Sequence, residues 1–115
     1  MERPLHHFEK MIIENFAKKL NEEQKQQLLF DMNHSNIVEN SEGIPYVTFH
    51  ISGYTRAISM GKHSYPVEGS VLDADGVEIQ VWLFADEKNR LYELEFARVD
   101  TKSIIAPDWS TLRSW

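Results

Sequence analysis

The chain has 115 residues, 42% of them hydrophobic and 26% charged, and it contains no cysteine. This suits one globular domain over residues 1–115 and excludes disulfides, zinc–thiolate centres, iron–sulfur clusters and thiol nucleophiles. With 12 Lys and Arg against 18 Asp and Glu, the net charge of −6 argues against a nucleic-acid backbone as the main partner.

The opening, MERPLHHFEK, lacks the apolar core of a secretory signal, and no apolar run approaches the ~18 residues that a membrane-spanning helix needs. Residues 4–20 read as an amphipathic helix. Pro4 suits a first helical position, and Leu5, Phe8, Ile12, Phe16 and Leu20 recur on one face, leaving Glu9 and Glu14 for solvent. A second helix is expected from Asn21, an N-cap with Gln24 three residues on and Glu22 and Glu23 in the first turn. Leu28, Leu29 and Met32 form its apolar side, and the helical signal fades at His34–Ser35–Asn36.

From Ile44 the hydrophobic period becomes two. Val47, Phe49 and Ile51 alternate with Thr48 and His50 up to Gly53. Residues 56–60 are a candidate short partner strand, and 61–66 is ambiguous. Three stronger strands follow at 67–72, 77–84 and 91–99, separated by the turn formers of 73–76 and 86–89. Short loops imply antiparallel neighbours, so this part is a meander. The tail carries too little pattern beyond an edge segment or loop. The expected fold is α+β, with two N-terminal helices packed on one face of a mainly antiparallel sheet of about five strands.

A four-residue loop at Asp86–Asn89 would place Ala85 opposite Arg90, Leu83 by Tyr92 and Val81 by Leu94, an apolar core face. A three-residue turn at Ala74–Asp75–Gly76, with glycine in the left-handed position, would pair Val71 with Ile79 and Ser70 with Gln80. The outward face then carries Glu68, Trp82 and Glu93 in one row above Ser70, Gln80 and Glu95. Residues 68–100 hold nine acids and three bases, a difference equal to the whole net charge of the chain. Two readings follow. Either this is a solvated face, with Trp82 covered by Trp109 or Trp115, or it is a docking surface anchored by an aromatic and steered by carboxylates.

Motifs for chemistry are weak. Asp73–Ala74–Asp75–Gly76 resembles the start of a calcium loop, but the strand that follows favours a hairpin turn. The five histidines show no metal-ligand spacing, and neither a nucleophile elbow nor a phosphate-binding glycine loop occurs. No cofactor, metal or catalytic residue is expected. A second hypothesis is a small enzyme or ligand-binding domain with a pocket between helices and sheet, lined by His50, Tyr54, Arg56 and His63.

The segment VLDADGVEIQVWLFAD, followed by LYELEFARVD and IIAP, resembles small bacterial immunity proteins of polymorphic or contact-dependent growth-inhibition toxins. The resemblance implies a small cytoplasmic protein that neutralises one cognate toxin by binding it; the protein is expected to be non-enzymatic, and monomeric or weakly dimeric when free. The typical toxin is a basic nuclease, which an acidic module would meet rapidly. The expected contact residues are Trp82 as anchor, Glu68, Glu93 and Glu95 as charge partners, and Asp73 and Asp75 at the adjacent turn.

Overall fold

A computed structural model describes residues 2–39 and 45–115. The elements run β1 (Glu2–Arg3), α1 (His7–Ala17), α2 (Glu22–Asn33), β2 (Ser35–Glu39), β3 (Tyr46–Ile51), β4 (Lys62–Ser64), β5 (Gly69–Leu72), β6 (Glu78–Asp86), β7 (Leu91–Arg98) and β8 (Asp108–Ser114). The architecture is α+β, and every strand pair is antiparallel. Among the described residues the sheet has eight strands rather than about five, in the order β1-β2-β3-β7-β6-β5-β8, with β4 paired to β6 ahead of β5.

The extra strands have short or polar sequences. β1 has two residues and β2 carries only Ile37 and Val38 as apolar residues, too few to show a period, yet each finds a backbone partner already in place. β8 closes the opposite edge by pairing with β5, and the Trp115 and Glu68 backbones exchange two hydrogen bonds of 3.0 Å. Residues 56–60 form no strand and include a turn at Ile58–Ser59; β3 is partnered by β2 and β7 instead, and the short strand that follows, β4, pairs with β6. Ile44, where the period-two alternation begins in the sequence, lies outside the described residues.

α1 starts at His7 rather than Pro4, because Glu2–Arg3 is drawn into the sheet. That also overturns the expected exposure of Glu9. Its carboxylate is buried, accepting from the His6 backbone N–H at 2.7 Å and from both Arg3 Nη atoms at 2.9 Å. α2 begins as expected, with the Asn21 side chain accepting from the Gln24 N–H at 2.8 Å. Capping of this kind stabilises a helix by about 1 kcal/mol.

Ile12, Ile13 and Phe16 of α1 and Leu28 of α2 are fully buried with Ile79, Val81, Leu83 and Leu94 of the sheet. Burying each such side chain contributes about 1.5–3 kcal/mol. The core thus lies on one side of the sheet. Trp109 is on this side too, stacked on Phe8 at 4.6 Å between ring centroids and edge-on to Phe96.

The β5–β6 turn is as expected, with Gly76 at φ 84° and Val71 opposite Ile79. The β6–β7 hairpin differs. Asn89 adopts φ 62° and the Asp86 N–H donates to the Arg90 carbonyl at 2.8 Å, so the loop is Glu87–Asn89 and Ala85 faces Leu91. A β-bulge at Tyr92 then shifts the register once more, and Leu83 meets Leu94 instead of Tyr92. Either one-residue shift alone would turn β7 inside out. Together they return Leu94 and Phe96 to the core side.

Candidate functional site

The sheet face opposite the helices presents three transverse rows. Tyr46, Glu95 and Trp82 form one, Thr48, Glu93, Phe84 and Ser64 the next, and Ala97, Gln80, Ser70 and Arg113 the third. The rows follow from strand alternation, since Ile79, Val81, Leu83 and Ala85 occupy the core side of β6 and leave Gln80, Trp82 and Phe84 outside. Trp82, Phe84 and Tyr46 are each half-buried here, as is Tyr92 at the bulge beside them.

Trp82, Glu93 and Glu95 therefore share one face, but Trp82 stands opposite Glu95, and Phe84 opposite Glu93. The loop geometry and the bulge account for the difference from the expected pairing. Glu68 precedes β5, where its carboxylate accepts from Trp115 Nε1–H at 2.9 Å, and it lines a cleft with Trp82. Ser70 pairs with Gln80 as expected, yet it is buried, because β8 covers it and Arg113 Nε donates to its hydroxyl at 3.1 Å.

Asp73 is not a surface residue. It is 3% exposed, and its oxygens accept from Arg98 Nη1 and from the Ala74, Ile105 and Ala106 N–H groups at 2.8–2.9 Å. Burial pushes its carboxyl up, but the backbone donors and Arg98 outweigh that and hold it down at about 2. Asp75 and Asp100 close on the same guanidinium at 3.0 and 2.6 Å, so Arg98 answers three carboxylates. The calcium-loop resemblance thus resolves into a turn clamped by arginine. Asp75 keeps part of its carboxylate in solvent, with 41% exposure.

Cations of the chain itself are seated on the aromatics at or beside the open face. Lys62 Nζ pairs with Glu93 and lies 4.7 Å from the Phe84 ring centroid. Burial lowers the pKa of this ammonium, but the bond to Glu93 prevails and the net shift is upward. The Arg56 guanidinium sits 4.1 Å from the Tyr92 ring centroid, and that of Arg113 lies 5.7 Å from the Trp115 ring centroid. The sequence reading missed Tyr46, Phe84, Tyr92 and Lys62. Phe84 was legible, because it lies two residues from Trp82 on one strand. Tyr92 was not, because the bulge decides its side.

The expected pocket residues disperse. Tyr54 and Arg56 donate to buried Asp86 at 2.7 and 2.9 Å, while His50 pairs with Glu2 near the β1 edge. Only His63 of the four lines a cavity of about 950 Å³ beside α2, along with Gln27, Phe30, Tyr65 and Arg90. Tyr65 is 7% exposed, and its hydroxyl has no hydrogen-bond partner among the described residues. Among the described residues, no three His, Asp or Glu side chains are grouped to hold a metal ion, and no helix is long and apolar enough to cross a membrane.

Residues 2–107 match a family described as a domain of unknown function, DUF6984, and the chain belongs to that family. No curated protein and no solved structure matches it.

Proposed function

We propose that this DUF6984 member is a non-enzymatic protein-binding domain whose open sheet face holds a basic partner, as an immunity protein holds the toxin it neutralises. The observation that carries the reading is the row Tyr46–Glu95–Trp82, with Phe84 and Glu93 beside it, on the one sheet face that neither helix covers. Half-buried aromatics supply contact area at small entropic cost, and the carboxylates among them steer a positively charged surface toward docking. Trp109 packs on the helix side, which leaves the C-terminal strand at the edge of this face. Glu68, at that edge, and Asp75, at the neighbouring turn, extend the acidic border.

The test is co-expression in the native host's cytoplasm with the C-terminal part of the product of the adjacent reading frame. Toxicity relieved only when this protein is present, together with a co-purifying 1:1 complex, supports the reading. A harmless neighbour, or one that kills regardless, removes the immunity assignment. Capture of a partner by wild type and by the Glu95→Lys variant equally removes the sheet face as the docking surface.

The cavity beside α2 favours a second reading, a small-ligand site, since its volume suits a metabolite and Arg90 and His63 line it. A metabolite that raises the thermal midpoint in wild type but not in Phe30→Ala supports that reading.

A further inference from the structure

We infer that the cleft beside Trp82 is a seat for one basic side chain, an arginine, supplied by the protein partner; this rests on the docking role of the open face. Three aromatics at or beside this face already carry a cation from the chain itself: Phe84 carries Lys62, Tyr92 carries Arg56 and Trp115 carries Arg113. Trp82 has the ring type that binds cations best, and among the described residues no cation lies over it.

The surroundings of that ring suit such a guest. A cleft of about 290 Å³ runs beside it, walled by Tyr65, Val67 and Phe84 with Glu68 among its lining residues. Directly across the ladder from Trp82 stands Glu95, which forms no ion pair among the described residues. Glu93 next to it is already answered by Lys62, so the unmatched negative charge is centred on Glu95 and Glu68. A guanidinium can stack flat on the indole while its edge donates to a carboxylate, and its three-carbon stem buries apolar area in the cleft. An ammonium offers only a point charge, and a neutral side chain leaves Glu95 unanswered.

The probe is the blocked pentapeptide Gly-Gly-Arg-Gly-Gly, with its citrulline counterpart as the uncharged control, titrated into the full-length protein. The readout is the indole N–H resonances, of which the chain has three, assigned by single Trp→Phe variants. The expected result is a saturable shift of the Trp82 signal with the arginine peptide, none with citrulline, and a stationary Trp109 signal. Glu95→Gln should weaken the arginine peptide by about fivefold, the scale of one partly exposed ion pair. No saturable shift at Trp82, or equal shifts with both peptides, overturns the seat. If the seat fails while Glu95→Lys still abolishes partner capture, only this inference falls. If the peptide binds and Glu95→Lys leaves partner capture intact, the seat exists but the partner does not use it, and the inference falls as well.

Discussion

Arg90 closes on Asp31 with a two-pronged contact, its Nη2 2.8 Å and its Nε 3.0 Å from Oδ1, joining the β6–β7 turn to the last turns of α2. The same carboxylate accepts from the Leu91 N–H at 3.0 Å and from Gln27 Nε2 at 3.0 Å, and it is fully buried. Replacing it strands a guanidinium and a backbone donor at the helix–sheet junction. Asp31→Ala should therefore cost about 3 kcal/mol in urea unfolding. A loss within about 0.5 kcal/mol, typical of an indifferent surface site, would show that the junction is not held by this pair.

Acid should unfold the protein through the Arg98 cluster. Asp73 is held down at about 2 against an ordinary value of 3.8, and Asp75 and Asp100 on the same guanidinium are also lowered. A depressed carboxyl pKa contributes stability that is complete above the unfolded value and disappears as pH falls through the folded one. The thermal midpoint should accordingly be flat above about pH 5 and fall between about pH 4 and pH 2. Arg98→Met should start lower at pH 7 and show a shallower acid decline, since the lowered pKa values of Asp75 and Asp100 depend first on that guanidinium. Parallel curves for the two proteins would contradict the assignment.

Glu93 and Glu95 should respond differently to charge reversal, although they are near neighbours on one face. Glu95 has no ion-pair partner among the described residues, so Glu95→Lys should change stability by less than about 0.5 kcal/mol while abolishing partner capture. Glu93 is only 13% exposed and pairs with Lys62, so Glu93→Lys brings two ammonium groups together and should lower the urea midpoint. Adding Lys62→Glu restores the opposite-sign pair and should recover most of the loss. Failure of that double variant to recover would mean the Lys62–Glu93 pair contributes nothing.

Gly69 is fixed by packing rather than by backbone conformation. A Cβ built there would lie 2.6 Å from the Phe16 ring, which is fully buried under β5. Gly69→Ala should cost about 1–3 kcal/mol, the usual range for overpacking a core. Combining it with Phe16→Leu, which vacates the contacting ring atoms, should make the alanine cheaper than it is in wild type. A double-mutant cycle measures the difference, and simple additivity would dissociate the two sites.

The sequence by itself determined the parts in which local physics suffices. The Asn21 cap, the left-handed Gly76 turn and the period-two core face of β6 were all legible, because each depends on residues a few positions apart. Tertiary structure decided the rest. β1, β2 and β8 are strands because an edge with unpaired backbone groups was waiting for them, and their own composition says little. The meeting of Trp82 with Glu95 depends on a loop one residue shorter than expected and a compensating bulge at Tyr92, which no alternation rule specifies. Asp73 and Glu9 look like solvent carboxylates in the sequence, and their burial is offset by Arg98 and Arg3 from other elements together with backbone N–H donors. A local pattern can fix which way a side chain leaves the backbone, but a buried charge or a cross-strand neighbour is settled by chain segments that meet only in the fold.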